Sequence, residues 1–298
     1  MKNGVINIYK ERGFTSHDVV AKLRGILKQK KIGHTGTLDP DAEGVLPVCL
    51  GKGTKLCDML TDHDKVYEAV LLLGQSTDTQ DTSGTVLSKA EVTATEEEVR
   101  EMIMSFVGPY EQIPPMYSAL KVNGQKLCDL ARAGKEVERK ARPVEIYGIE
   151  ILEMNLPRVR MSVSCSKGTY IRTLCHDIGE KLGCHGCMEK LLRTKVGQFL
   201  LDGSLTLSEV EKLRDEDRLD EVILPVDQVF VDYPMVRLKE NTSKLGYNGN
   251  PFRLKDALSV EGEGAKVRVY DYLGQFIGIY EYRTERNMYF PLKMFCEK

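Results

Sequence analysis

The sequence contains no run approaching about 18 consecutive apolar residues, so no segment reads as a membrane-spanning helix. Its start, Met1-Lys2-Asn3-Gly4-Val5-Ile6-Asn7, moves straight into strand-like residues and has no apolar leader core, so a cytoplasmic location is expected. There is no marked excess of positive charge. The net charge is −2, which gives no global sign of a nucleic-acid partner. Nor is there a phosphate loop: Gly51-Lys52-Gly53-Thr54-Lys55 lacks the G-x-x-x-x-G-K-[ST] spacing, so a nucleotide cofactor is not expected. Cys175-His176 and Cys184-His185-Gly186-Cys187 have no second spaced C-x-x-C or H-x-x-x-H pair, so they are expected to be reduced, packed thiols without a metal. No internal repeat or low-complexity segment interrupts the chain, and its 298 residues suffice for about two domains.

What is present is charge segregated along the chain. Lys22 to Lys31 holds five basic residues and no acid, and Lys121 to Pro143 holds seven basic residues against three acids. Glu209 to Glu221 reverses the balance, with seven acids against three bases. The acidic stretch masks two basic ones in the net charge. Solvated helix faces produce the same pattern, so the runs alone do not assign an RNA surface.

The periodicity gives a first strand at Val5 to Tyr9 and a helix opened by the capping pair Thr15-x-x-Asp18. Val66 to Leu73 reads as a strongly apolar strand, and Thr95-x-x-Glu98 opens a second helix that stops at Gly108-Pro109. Val144 to Leu152 and Arg158 to Ser166 alternate like paired antiparallel strands, and Thr173 to Leu182 reads as a helix closed by Gly183. A short acidic helix is expected near Ser208 to Arg214, before a boundary around Val231-Asp232-Tyr233-Pro234. Beyond it lie short β-like runs and Gly-rich turns. Strands and helices mixed without regular alternation favour α+β over a doubly wound sheet.

The most informative stretch is Gly33-His34-Thr35-Gly36-Thr37-Leu38-Asp39-Pro40. It sets one carboxylate in a Gly- and Pro-rich turn with an imidazole five residues earlier, and such a loop acid can be aimed at a substrate by backbone geometry. An Asp before Pro is also an ordinary turn residue. The run continues through Asp41-Ala42-Glu43-Gly44-Val45-Leu46-Pro47-Val48 into Gly51 to Lys55. This block resembles the catalytic motif of the TruB family, the bacterial tRNA pseudouridine-55 synthases. Further segments recur in family order: Lys10 to Ser16, Lys65-Val66-Tyr67, Leu73 to Asp81, Ile113 to Lys121, Ala141-Arg142-Pro143, Cys165 to Thr173, and Leu191 to Phe199.

The resemblance implies a pseudouridine-synthase fold, α+β, with a central mainly antiparallel sheet flanked by helices. It implies a catalytic domain over residues 1–232 with an RNA-clamping insertion at about 121–143, and a β-barrel-like PUA domain over 233–298. The activity implied is isomerisation of uridine 55 in the tRNA T loop. No group is lost and nothing is oxidised, so no cofactor is called for. Asp39 takes the nucleophile's position, Arg172 that of the arginine that pairs it, and Tyr67 that of the tyrosine against the target base. Sugar attack, base attack and a glycal route all remain compatible with these residues. His34 matches the imidazole that stacks in the remodelled loop, while Tyr170 and Leu191 match pocket-lining positions. Lys126, Arg132, Lys135, Arg139, Lys140 and Arg142 would address phosphates, which position RNA without reading sequence. The implied partner is the T arm of tRNA, met by a monomer.

Two departures stand out. Lys10-Glu11 replaces the family's Lys-Pro and is expected to loosen that turn; Leu191-Leu192-Arg193-Thr194 replaces L-R-R-T and removes one basic contact. A tRNA-folding chaperone with secondary catalysis is the competing function, and the intact Asp39, Tyr67 and Arg172 set favours catalysis. A zinc-stabilised RNA-binding protein would rest on the Cys/His cluster alone.

Overall fold

The computed structural model describes residues 1–262 and 264–296. Local signals set its helices. Thr15 caps the helix Ser16–Ile26 by accepting from the Asp18 N–H, and the Asp18 carboxylate returns to the Thr15 N–H at 2.8 Å. Thr95 and Glu98 repeat the device on Glu96–Met104, and Thr206 and Glu209 on Leu207–Asp215. Each helix lays an apolar stripe on a sheet: Val19, Val20 and Leu23 on the first, Val99 and Ile103 on the second.

The large sheet runs in the order Ile223–Leu224, Gly4–Lys10, Glu43–Leu50, Gly186–Val196, Lys65–Leu73, Arg158–Cys165, Arg142–Asn155, Gly108–Gln112. Its pairings are antiparallel except one, where Glu43 and Gly44 run parallel to Leu192 and Arg193. That seam joins two halves of the sheet. Gly44 has φ +105°, and a Cβ there would lie 2.2 Å from the Arg193 carbonyl oxygen, so only glycine permits the approach. Lys65–Leu73 is a central strand whose odd-numbered residues are all buried. Tyr67, Ala69, Leu71 and Leu73 pack with Leu38 of the Asp39 loop and with the helix Ile171–Lys181.

Residues from Met235 onward form a second sheet in the order Ala257–Glu261, Met235–Leu238, Lys266–Tyr270, Phe276–Arg283, Met288–Met294. The expected barrel-like closure is not found among the described residues. No pairing joins the edge strands Ala257–Glu261 and Met288–Met294, and the loop residue Phe252 bridges Tyr289 instead. The second sheet packs on the first. Ile279 and Phe295 share one buried cluster with Val5, Val45, Cys49 and Leu56. Among the described residues no helix is long and apolar enough to cross a membrane.

Candidate active site

Asp39 lies in the loop between the strands Ile32–His34 and Glu43–Leu50. Side chains far from the loop in sequence hold it. Leu38 is buried, and its N–H donates to Ser16 Oγ at 3.0 Å. The Pro40 carbonyl accepts from the Gly13 N–H at 2.9 Å and from Lys10 Nζ at 3.1 Å. Lys10 is fully buried, and its Nζ also reaches the Phe14 carbonyl at 2.7 Å and the Glu11 carbonyl at 3.2 Å. The turn carrying the Lys10-Glu11 departure is therefore tied down by Lys10 itself. Burial pushes the Lys10 ammonium down to about 8, with Asp39, Glu43 and Asp41 opposing.

Arg172, in the first turn of Ile171–Lys181, grips this carboxylate with a fork: Nε to Asp39 Oδ2 at 3.0 Å and Nη2 to Oδ1 at 3.2 Å. The guanidinium is 6% exposed and the carboxylate 38%, so the pair is held on the protein side and open on the other. Arg172 also donates to the carbonyls of Thr79 at 3.2 Å and Tyr117 at 2.9 Å, and Asp81 Oδ2 lies 3.7 Å from its Nη1. A surface ion-pair role does not fit this burial. Burial raises the Asp39 carboxyl above its usual range; Arg172 and Lys10 pull it down, and Asp81 and Asp41 push it up.

Tyr67 is 8% exposed and lies opposite Arg193 in register. Burial raises its phenol, Arg193 opposes that, and the charge of Asp39 reaches it. Leu191 pairs with Ala69 and packs against the same cluster. Tyr170 caps the helix carrying Arg172, its backbone held by both ends of the Gln112 amide at 2.7 and 3.0 Å. His34 ends its strand half-buried, edge-on to His17 with centroids 5.2 Å apart. Burial, and then His17, lower its imidazole, so it is neutral near pH 7. The structure thus brings Asp39, Arg172, Tyr67 and Tyr170 within electrostatic reach of one another. Leu191 packs against the Tyr67 cluster and lines a surface hollow with Tyr9, Glu43 and Glu68, and His34 ends the strand that leads into the Asp39 loop.

The basic segment begins as a short hairpin, Lys121–Val122 and Gln125–Lys126, followed by the helix Leu127–Arg132. Lys126 and Lys135 line one surface hollow with Lys121. Arg132 faces Asp129 at 3.8 Å in the open, and Lys140 and Arg142 are exposed. Arg139 is different: it donates to the Pro114 carbonyl at 3.2 Å and to Glu136 at 3.3 Å, which ties the segment to the loop carrying Tyr117. Cys175, Cys184 and Cys187 are buried, and among the described residues no three His, Cys, Asp or Glu side chains gather as a metal site.

Sequence reasoning passed over Asp81, Lys10 and Arg193 as individual residues. Asp81 closes the polar turn Thr77 to Gly84, where its Oδ1 accepts from Thr79 and Ser83, so its signal was indistinguishable from turn chemistry.

Comparisons with known proteins identify the family. Residues 24–171 match the family model described as TruB family pseudouridylate synthase (N terminal domain), and residues 172–231 match tRNA pseudouridylate synthase B C-terminal domain. The chain is 55% identical to tRNA pseudouridine synthase B of Lachnoclostridium phytofermentans, covering 98% of this chain and 99% of that one. It is 50% identical to the protein of that name from Alkaliphilus oremlandii, covering 83% of this chain and 82% of that one. Among solved structures, a chain in the crystal structure of a Cbf5-Nop10-Gar1 complex superposes with a TM-score of 0.75 at 27% identity, covering 98% of this chain and 85% of that one. The fold is the pseudouridine-synthase fold, and the chain belongs to the TruB family of pseudouridylate synthases.

Proposed function

We propose that this chain converts uridine 55 in the T loop of tRNA to pseudouridine. The observation that carries the reading is the buried Arg172 fork on a half-open Asp39 carboxylate, whose charge reaches Tyr67, with Tyr67 packed in one cluster with the adjoining Leu38 and Ile171. The reaction breaks the N1–C1′ bond, turns the base and rejoins it through C5, so it needs a carboxylate and proton management only. Asp39, kept ionised by Arg172, is the nucleophile or the group that stabilises positive character at the sugar. Tyr67 offers a stacking face and a phenol oxygen to the base.

A base stacked in a folded loop must first be extruded, at a cost of a few kcal/mol. His34 stacks in the remodelled loop, and Tyr170 and Leu191 shape the base site. Lys126, Arg132, Lys135, Lys140 and Arg142 supply phosphate contacts, and Arg139 anchors their segment to the Tyr117 loop. In this reading residues 1–232 form the catalytic domain. Residues 233–298 form a PUA-like RNA-binding module, supported by the turn Asn248-Gly249-Asn250-Pro251, where Gly249 takes φ +68°. The protein acts as a monomer on the T arm.

The test is to map pseudouridine in tRNA with wild type and with Asp39→Asn, using tritium release from C5-labelled uridine. Asp39→Asn is expected to lose isomerisation while binding tRNA nearly as wild type. Absence of pseudouridine at position 55 with wild type would sink the reading. Equal activity in the two proteins would remove Asp39 from the chemistry.

A further inference from the structure

Arg193 is the largest side chain buried almost completely, at 1% exposure. Arginine stays charged in proteins, so a buried one calls for a negative or strongly polar partner. Arg193 has no such partner in full. None of the ion pairs among the described residues includes it. Its Nε donates to the Val45 carbonyl at 2.7 Å, and its buried Nη2 makes no hydrogen bond.

The side chain beside it is Tyr67. The two residues are directly opposite on neighbouring antiparallel strands, so both leave the sheet on one face. The other titratable groups that act on the pair, or on which Arg193 acts, are Lys10, His34 and Lys65, the buried thiol Cys165, and Asp39. Three of these are basic, and Asp39 is already gripped by Arg172. The Tyr67 phenol, which interacts with the Arg193 side chain by charge and hydrogen bonding, is the neighbouring group that can bring negative charge to this guanidinium.

We infer that Arg193 is a positioning residue acting through Tyr67: its guanidinium is the fixed positive partner of the phenol oxygen near Asp39. The inference rests on the proposed reading that Tyr67 faces the reacting base. An arginine only donates, so the phenol must offer Arg193 a lone pair and turn its O–H away from the guanidinium. When the oxygen takes up negative charge during proton transfer, the guanidinium is the donor that meets it. A purely structural Arg193 would alter stability on substitution and leave the ionisation of Tyr67 where it was.

The test is made on the full chain without RNA. A fluorinated tyrosine is placed at position 67 and its ionisation followed by fluorine NMR, in wild type and in Arg193→Gln. Arg193→Gln is expected to move the Tyr67 midpoint to higher pH, because it removes the charge that favours the phenolate. An unmoved midpoint overturns the inference. The wild-type protein gives a second readout if Arg193→Gln does not fold: the guanidinium nitrogen resonance of Arg193 should move with the Tyr67 midpoint. A resonance that ignores it overturns the inference equally. In turnover, Arg193→Lys should lower kcat on the order of tenfold, with KM within about twofold, since the charge is kept and the fork is removed. The NMR arms need no activity. A wild-type protein that forms no pseudouridine would therefore defeat the proposed function while leaving the Arg193–Tyr67 pairing to be read on its own.

Discussion

Asp39 and Asp81 share one guanidinium: Arg172 meets Asp39 Oδ2 at 3.0 Å and Asp81 Oδ2 at 3.7 Å. The two carboxylates approach from loops 42 residues apart in sequence, and Asp81 is among the groups that push the Asp39 carboxyl upward. Activity that needs ionised Asp39 is lost as pH falls through its raised pKa, so the acid limb of kcat/KM is expected above the ordinary carboxylate range. Asp81→Asn removes the opposing charge while an amide oxygen can still accept from Thr79 and Ser83. Its acid limb is expected at lower pH than in wild type. A limb that stays in place would separate Asp81 from the ionisation of Asp39.

Arg172→Lys tests the fork. A lysine keeps the charge but cannot reach both Asp39 oxygens and also hold the carbonyls of Thr79 and Tyr117. The expected result is a fall in kcat on the order of 10²-fold or more, with tRNA affinity little changed, because these hydrogen bonds orient the carboxylate rather than grip RNA. A variant with weakened tRNA binding and near-normal kcat in single turnover would contradict this.

The elements legible in the sequence were those with local signals. Thr15/Asp18 and Thr95/Glu98 announce their helices because a capping box is written within four residues. The expected Val66 to Leu73 strand is Lys65–Leu73 in the structure, because a central strand is a compact apolar run. The strands Glu43–Leu50 and Gly186–Val196 were harder to see. The first lay inside, and the second only partly inside, a segment recognised for its resemblance, and the parallel seam between them depends on a partner nearly 150 residues away. The Asp39–Arg172 pair spans 133 residues, and only the resemblance joined its members beforehand. The carbonyls of Thr79, Tyr117 and Pro40 that hold the site carry no residue signature at all. The expected barrel failed for a related reason: alternation predicts strands but not whether the two edges meet.

Lys10 offers a pH test of the loop that carries Asp39. Its folded-state pKa is about 8, below the ordinary lysine value, so between about pH 8 and 10 the unfolded chain holds the proton more tightly. The contribution of Lys10 to stability therefore rises with pH through that window. Many buried tyrosines and thiols titrate in the opposite sense, so the contribution must be read against a variant. The melting temperature of wild type minus that of Lys10→Met is expected to increase from pH 8 to pH 10. Lys10→Met also frees the Pro40 carbonyl, and a displaced Asp39 is expected to lower activity on the order of 10²-fold at any pH. A flat temperature difference would show that Lys10 titrates normally.

The second sheet calls for substitutions rather than deletion. Ile279 and Phe295 share a core with Val45, whose carbonyl holds Arg193, so removing residues 234–298 would disturb the active site and confuse the result. Surface charge gives a cleaner probe. Arg283 and Arg286 are exposed and lie over the Phe290 ring at 4.5 and 5.6 Å from its centroid. Neither forms an ion pair among the described residues, and both are far along the chain from Asp39, Tyr67 and Arg172. If this sheet grips RNA beyond the T loop, Arg283→Ala with Arg286→Ala should weaken full-length tRNA more than an isolated T-arm stem-loop. The slope of log affinity against log salt should become shallower by about one for each phosphate no longer neutralised. Neutralising Lys140 and Arg142, in the segment tied to the loop that holds Arg172, should instead weaken both RNAs. Dissociation constants for the two RNAs across a salt series decide it. Equal weakening for both RNAs in the Arg283/Arg286 variant, or none for either, would assign the second sheet to supporting Val45 and the active site rather than to gripping distal RNA.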